Sequence, residues 1–144
     1  MGANPPPQTH APGRRRALDE AWLAYLRSAP FDPSSLTAPP GLAEGVRLFN
    51  EGRYLDAHEA WETAWRETPY PGKLLLLALA KIAAGLAHRG GAGAASRVTA
   101  DGLRFLAPFE PACMGVDIAS LRVALAGGAA PPPRIAYGAG FSRE

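Results

Sequence analysis

The sequence predicts an all-α protein, a compact bundle of about five to six helices. Apolar residues recur at three- and four-residue spacing in successive segments, which is typical of helices that bury one face. Gly and Pro lie mainly at the two ends and in the breaks between these segments. No segment shows the alternation of a strand. A chain of 144 residues is long enough for one such domain with a hydrophobic core.

The first predicted helix covers residues 15–28. Its apolar stripe consists of Leu18, Trp22, Tyr25 and Leu26. Pro30 ends it, because proline cannot continue a helix. The later predicted helices cover residues 42–51, 54–67, 73–88, 94–106 and 116–126. Gly52 is predicted to cap the helix before it, and the short connections favour antiparallel neighbours.

The chain is predicted to divide into three parts. Residues 1–14 form a Pro-rich leader without apolar periodicity, which is typical of a disordered segment. Residues 15–126 form the helical domain. Residues 127–144 are rich in Gly and Pro and are expected to form a tail on the surface.

One pair of helices has the spacing of a tetratricopeptide hairpin. Small and large residues follow each other in the order Gly45, Gly52, Tyr54, Ala57, Trp61 and Ala64. The small residues let two helices approach closely, and the aromatic side chains fill the space between them. A second copy of the pattern is poor, and a solenoid needs about three repeats. The sequence therefore predicts one such hairpin inside a compact domain.

The segment LFNEGRYLDAHEAWETAWRE, residues 48–67, carries most of the side chains with chemical potential. On a helix, one stripe of this segment consists of Tyr54, His58, Trp61 and Trp65. Glu62 lies at the edge of that stripe, one turn after His58, whereas Glu59 points about 100° away. The predicted pocket residues are Tyr54, His58, Glu59, Trp61, Glu62, Trp65 and Lys81.

Lys81 is the odd residue of an otherwise apolar helix. It lies within the run LLLLALAKIAAGLA, which is expected to be a central buried helix. A buried ammonium without a partner costs several kcal/mol, so Lys81 has to reach solvent or meet a carboxylate. The sequence predicts an ion pair between Lys81 and Glu59 or Glu62, beside the Trp residues.

Three interpretations of His58 remain open. In the first, His58 and Glu62 bind a metal ion together with His88 of the next helix, although Lys81 would repel a cation. In the second, His58 acts as an acid or base with Glu59 or Glu62, although no nucleophile or oxyanion donor accompanies it. In the third, His58 is a structural histidine, hydrogen-bonded at a helix interface.

Composition and charge limit the classes of partner. The net charge is only +2, and no face combines Lys and Arg with stacking aromatics, so no nucleic-acid partner is predicted. The longest apolar run is too short for a bilayer span, so no membrane partner is predicted. A homodimer through an exposed aromatic of the first helix, Trp22 or Tyr25, is a further expectation. The lone Cys113 allows no internal disulfide, which suits the cytoplasm, and is expected to be inert.

The segment of residues 48–67 resembles a small bacterial family, catalogued as domain of unknown function 309. The family pattern is roughly Phe-Asn-x-Gly-x-Tyr-x-x-x-His-Glu-x-x-Glu-x-x-Trp. It falls here on Phe49, Asn50, Gly52, Tyr54, His58, Glu59, Glu62 and Trp65. The resemblance extends over about residues 42–126. It implies a compact all-α cytoplasmic domain, and it brings no activity with it.

This chain departs from the family in its apolar helix. Members usually carry Gln there, where this chain has Leu77 and Lys81. If such a Gln contacts a ligand, Lys81 in its place would favour a more anionic one. Glu59 belongs to the family pattern but lies away from His58 on the helix, so it is expected to serve a separate contact with the preceding helix.

The sequence therefore predicts a binding or scaffold module, with a polar pocket around His58, Glu62 and Lys81. The expected partner is a protein or a small molecule, and no cofactor is predicted. The alternative is a metal-dependent hydrolase that uses His58, Glu62 and His88. The sequence leaves open whether any reaction is catalysed.

Overall fold

The structure is a computed structural model that describes residues 4–87, 92–126 and 133–138. The helices in the described chain are α1 (Arg15–Ser28), α2 (Leu42–Asn50), α3 (Tyr54–Arg66), α4 (Gly72–Ala87), α5 (Ala92–Leu106) and α6 (Ile118–Ala126). Single turns of 3-10 helix cover Pro33–Ser35 and Ala107–Phe109. The predicted all-α bundle is confirmed.

The predicted helix bounds agree closely with those observed. The first helix has the predicted bounds, and the second and third end one residue early, at Asn50 and Arg66. The fifth begins at Ala92, two residues before the predicted start. The predicted end of the fourth helix, His88, lies outside the described residues. The apolar spacing and the Gly and Pro breaks therefore locate the elements well.

A small antiparallel hairpin precedes α6. Its strands are β1 (Ala112–Cys113) and β2 (Val116–Asp117). The turn between them places Met114 and Gly115 at φ 54° and φ 81°. The sequence analysis assigned residues 116 and 117 to the last helix, because two residues are too few to show a strand alternation.

The apolar helix α4 is the centre of the core, as predicted. It packs against both α3 and α5. Its fully buried side chains include Leu74, Leu75, Leu76, Leu79 and Ile82. A helix that is apolar on nearly all sides needs neighbours on nearly all sides. Within the described chain, no helix is long and apolar enough to span a bilayer.

Helices α2 and α3 form the predicted close hairpin. A Cβ on Gly45 would lie 2.1 Å from Nε1 of Trp61, so only glycine fits where the two helices meet. The Trp61 indole is fully buried and donates a hydrogen bond to the carbonyl of Leu42, at 3.1 Å. Gly52 ends α2 at φ 81°, where its N–H donates to the carbonyl of Phe49.

Both terminal segments contact the helical domain. Trp22 donates from Nε1 to the carbonyl of Pro7, at 2.8 Å. The Asn50 side chain bonds both the N–H and the carbonyl of Ile135, at 2.7 and 3.0 Å. Ile135 is buried, although the sequence placed the tail on the surface. Trp22 is only 5% exposed, so it is not the exposed aromatic that the expected dimer required, and Tyr25 is half-buried.

Candidate functional site

His58 joins α3 to α4. Its Nδ1 lies 3.0 Å from the carbonyl oxygen of Ala80. A carbonyl can only accept, so Nδ1 carries a proton, and Nε2 is the ring nitrogen that faces Glu62. Nε2 lies 3.5 Å from Oε2 of Glu62, one turn along α3. The structural interpretation therefore fits His58, with a backbone carbonyl as its interface partner.

The other predicted pocket residues of α3 lie in different places. The Tyr54 ring packs against Phe49, with ring centroids 5.1 Å apart. Trp61 is sealed inside the α2–α3 hairpin. Glu59 is exposed. Because the helix turns these side chains to different neighbours, the expected pocket does not gather around His58.

The predicted ion pair of Lys81 with Glu59 or Glu62 is wrong. The ammonium of Lys81 lies 3.0 Å from the Asp101 carboxylate of α5. Lys81 occupies the side of α4 that meets α5, whereas α3 packs on other residues of α4. Asp101 also accepts from Arg104, at 2.8 Å. Burial alone would raise the pKa of Asp101, but the hydrogen bonds from Arg104 and Lys81 hold it below its ordinary value.

Two of the three ligands that the metal interpretation requires lie close together in the structure. His58 and Glu62 face each other, and His88 lies outside the described residues. In the part of the chain that the structure describes, no three His, Cys, Asp or Glu side chains converge on a point that could hold an ion. Arg66 also lies 3.7 Å from the Glu62 carboxylate, where it would repel a cation.

Cys113 is buried in the small hairpin. Its Sγ donates to the carbonyl of Pro33, at 3.4 Å. Burial raises the pKa of the thiol to about 12, which keeps it protonated and unreactive at neutral pH.

An open cleft lies at the C-terminal end of α3, and we call it the Trp65 cavity. Its volume is about 540 Å³. Three parts of the chain build its walls: residues 8–10 of the N-terminal segment, the first turn of α1, and the connection from α3 to α4. The lining residues are Gln8, Thr9, His10, Arg15, Trp65, Arg66, Glu67, Thr68, Pro69, Tyr70 and Lys73.

Two cations flank the Trp65 ring in this cavity. The Arg15 guanidinium lies 4.9 Å from the ring centroid, and the Lys73 ammonium lies 4.6 Å from it. Such contacts are favourable because the ring face carries partial negative charge. Lys73 also donates to the carbonyl of Trp65, at 2.7 Å. These contacts fix both charged groups at the cavity wall.

Lys73 is held in an environment that disfavours its charge. Burial lowers the pKa of Lys73, the nearby Asp19 partly opposes this, and Arg15 adds a smaller decrease. Among the residues that the structure describes, Lys73 forms no ion pair. Its ammonium donates to the Trp65 carbonyl and lies over the rings of Trp65 and Tyr70.

A buried pair of side chains supports the cavity from behind. The Tyr70 hydroxyl donates to Oδ1 of Asp19, at 2.5 Å. Burial raises the pKa of Asp19, although Tyr70 and Arg15 oppose it. Burial and the contact with Asp19 raise the pKa of Tyr70 as well. Trp22 stacks on the Tyr70 ring, with centroids 5.2 Å apart and planes 5° from parallel.

The N-terminal segment forms one wall of the cavity and is held there by its contact with Tyr70. Gln8 donates from its amide to the carbonyl of Tyr70, at 3.0 Å, and accepts from the N–H of Tyr70, at 2.9 Å. This two-point contact spans 62 residues of sequence. Thr9 and His10 follow it as the outer wall.

Sequence reasoning found Trp65 but missed its neighbours. The sequence patterns gave no site role to Arg15, Tyr70 or Lys73. A signal existed in the TPYPGK segment, which places an aromatic and a cation one turn apart. Only the fold shows that α1 and residues 8–10 meet that segment.

Residues 42–95 match the family described as Domain of unknown function (DUF309). This match confirms the resemblance drawn from the His-Glu-x-x-Glu segment, over the residues that it covers. The match ends at residue 95, before the expected limit of 126. Comparison with curated proteins and with solved structures gave no match.

Proposed function

We propose that this protein is a binding module that takes up a small molecule in the Trp65 cavity. It retains the binding interpretation drawn from the sequence, and it moves the site from His58 to the opposite end of α3. No reaction is assigned to it.

The observation that carries the proposal is the cavity itself. A volume of about 540 Å³ falls within the range of about 300–1,000 Å³ that is usual for small-molecule sites. Trp65, Pro69 and Tyr70 supply apolar surface, and the other eight lining residues are polar or charged. The lining therefore offers both apolar contact and polar groups that can orient a ligand.

The positions of the lining groups support the same proposal. Trp65 holds Arg15 and Lys73, and the pair of Asp19 and Tyr70 holds the floor. Side chains fixed in this way before the ligand arrives lose little conformational freedom on binding.

A screen of a metabolite library by thermal unfolding tests the proposal. A ligand at about one hundred times its Kd adds about 2.7 kcal/mol to the free energy of unfolding, which is readily seen as a higher Tm. Thr9→Trp fills the cavity from its outer wall and should abolish the shift. Thr37→Trp places the same residue at an exposed position away from the cavity and should keep it.

If no compound raises the Tm of the protein, or if Thr9→Trp keeps the shift, the proposed function fails.

One observation favours a second candidate, the metal-dependent hydrolase. The Ala80 carbonyl fixes the His58 tautomer, so Nε2 is free to bind a metal beside Glu62. Elemental mass spectrometry of the untagged protein tests this candidate. Near-stoichiometric zinc, iron or manganese that disappears in His58→Ala would support it. Protein without metal after incubation with zinc would rule it out.

The cellular setting is also part of the proposal. We place the protein in the cytoplasm, which the lone cysteine supports. Fractionation of the source cells and detection in the soluble cytoplasmic extract would test this. A homodimer is a separate expectation, which sedimentation equilibrium would test.

A further inference from the structure

We infer that the ligand of the Trp65 cavity is an organic anion of metabolite size, held through a carboxylate or phosphate group by Arg15 and Lys73. This inference rests on the proposed function, because it names the chemical class of ligand for the same site.

The cavity lining carries more positive than negative side chains. It contains Arg15, Arg66 and Lys73 but one carboxylate, Glu67, and Arg66 also lies 3.7 Å from the Glu62 carboxylate. A cavity walled by one sign of charge attracts ligands of the opposite sign. A cationic ligand would have to enter against this excess.

Lys73 has no ion-pair partner among the residues that the structure describes. Its ammonium is partly desolvated and, in the described structure, is balanced by a backbone carbonyl and two ring faces. Arg15 meets Asp19 only at 3.8 Å, across a long contact from Nε. An anionic group between Arg15 and Lys73 would supply the missing partner, and charge-assisted hydrogen bonds of this kind are the strong ones.

The cavity is larger than an inorganic anion requires. An inorganic anion would fill only a small part of about 540 Å³. Beyond the charged side chains, Pro69 and the half-buried Trp65 add apolar surface, and Gln8, Thr9 and Thr68 add neutral polar groups. The ligand is therefore an organic molecule that carries the anionic group at one end.

The other basic cleft of the described structure lacks this feature. It lies between α1 and α5 and contains Arg16, Lys81 and Arg104. Its inner cations are already bound to carboxylates. Arg104 makes two short bonds to Glu20, at 2.9 and 2.6 Å, and Lys81 pairs with Asp101. Those carboxylates would compete with an incoming anion. The carboxylate near Lys73 is the buried Asp19, which accepts a hydrogen bond from Tyr70 and forms no ion pair with Lys73 in the described structure.

Four probes, each with one phenyl ring and a group of different charge, test the inference by calorimetric titration. They are benzoate, phenyl phosphate, benzamide and benzylamine. We expect both anions to bind, benzamide to bind about ten- to a hundredfold more weakly, and benzylamine not to bind. The order of benzoate and phenyl phosphate then distinguishes a carboxylate ligand from a phosphate ligand.

Variants connect the binding to the named residues. Lys73→Gln and Arg15→Gln should each weaken the anions about tenfold or more and leave benzamide unchanged. Arg27→Gln removes the same charge from an exposed position at the other end of α1 and should change nothing. If Lys73→Gln does not fold, Arg15→Gln and the comparison of the four probes on the natural chain decide the result.

The outcomes separate this inference from the proposed function. Equal affinity for benzoate and benzamide would overturn the anionic class of ligand but keep the cavity as the binding site. The same conclusion would follow if neutral library compounds bound and only Thr9→Trp blocked them. Failure of all four probes and of every library compound would overturn both. Anion binding that survives both Gln variants would place the anion elsewhere and overturn the inference.

Discussion

The imidazole of His58 lies at the contact between α3 and α4. Its Nδ1–H is used by the Ala80 carbonyl of α4, and its Nε2 faces the half-exposed carboxylate of Glu62. The helix wheel predicted the pairing with Glu62 correctly, because residues four apart share a face. It gave no information about Ala80, because that contact depends on how deeply α4 packs against α3.

We expect His58→Ala to lower the free energy of unfolding by about 1 kcal/mol, the usual value of one lost hydrogen bond. Glu62→Gln should cost close to zero, because its contact with His58 is long and Glu62 is 45% exposed. Equilibrium denaturation of both variants measures this. A His58→Ala variant as stable as the natural chain would show that the bond to Ala80 does not hold α3 to α4.

Asp19 gives the clearest pH dependence. Its pKa in the folded chain is raised by burial, so the folded state holds this proton more tightly than the unfolded state. The stability that this proton contributes is complete below the ordinary value of 3.8 and is lost as the pH rises through the folded pKa. The charged groups that face Asp19 are Arg15, Lys73 and Lys81, and they weaken the shift without reversing it.

Asp19→Asn keeps an acceptor for Tyr70 and cannot ionise. We therefore expect the stability of the natural chain, relative to Asp19→Asn, to fall as the pH rises from about 3 to about 7. Denaturant titrations of both proteins across this range give the difference, in which the other carboxylates cancel. A difference that rises with pH would mean that the folded pKa of Asp19 lies below 3.8.

At the scale of elements, the α2–α3 hairpin depends on one close approach. The small and large pattern predicted it, because only a residue without a side chain fits beside a buried indole. The sequence pattern could not predict two other features of the fold. The strands of the small hairpin have two residues each, too few for a period. The partner of Lys81 depends on which helix packs against that side of α4. The spacing of residues within one helix carries no information about that neighbour.

Gly45→Ala should destabilise the protein by about 1–3 kcal/mol through overpacking against Trp61. In an exposed helix the same change would stabilise by up to about 1 kcal/mol, so the sign is informative. Trp61→Phe leaves more room beside position 45. In that background Gly45→Ala should therefore cost much less. A double-mutant cycle by equilibrium denaturation tests this coupling, and additive effects would place the strain outside the Gly45–Trp61 contact.

At the scale of the whole molecule, the Trp65 cavity exists only because distant parts of the chain meet. Residues 8–10, the start of α1 and the α3–α4 connection each supply one wall. The sequence predicted the helices that carry the walls but placed residues 1–14 in a disordered leader. Gln8 gave no signal of its pairing with Tyr70, because contacts across 62 residues leave no local pattern.

We expect Gln8→Ala to lower the free energy of unfolding by about 1–3 kcal/mol, since two hydrogen bonds to Tyr70 are lost. Thr9→Ala, at the next position, should cost less than about 0.5 kcal/mol, because no hydrogen bond to the domain is removed. Chemical denaturation compares the two variants. Equal effects would mean that the N-terminal segment is not held through Gln8.

The most direct test of the account is a proton–nitrogen NMR titration that follows the three tryptophan indole N–H signals. Trp61 donates to Leu42 inside the hairpin, Trp22 donates to Pro7 behind the cavity floor, and Trp65 lines the cavity. Addition of the tightest-binding compound should move the Trp65 signal most and leave Trp61 in place. A compound that binds while Trp65 stays unmoved would place the ligand elsewhere and contradict the proposed site.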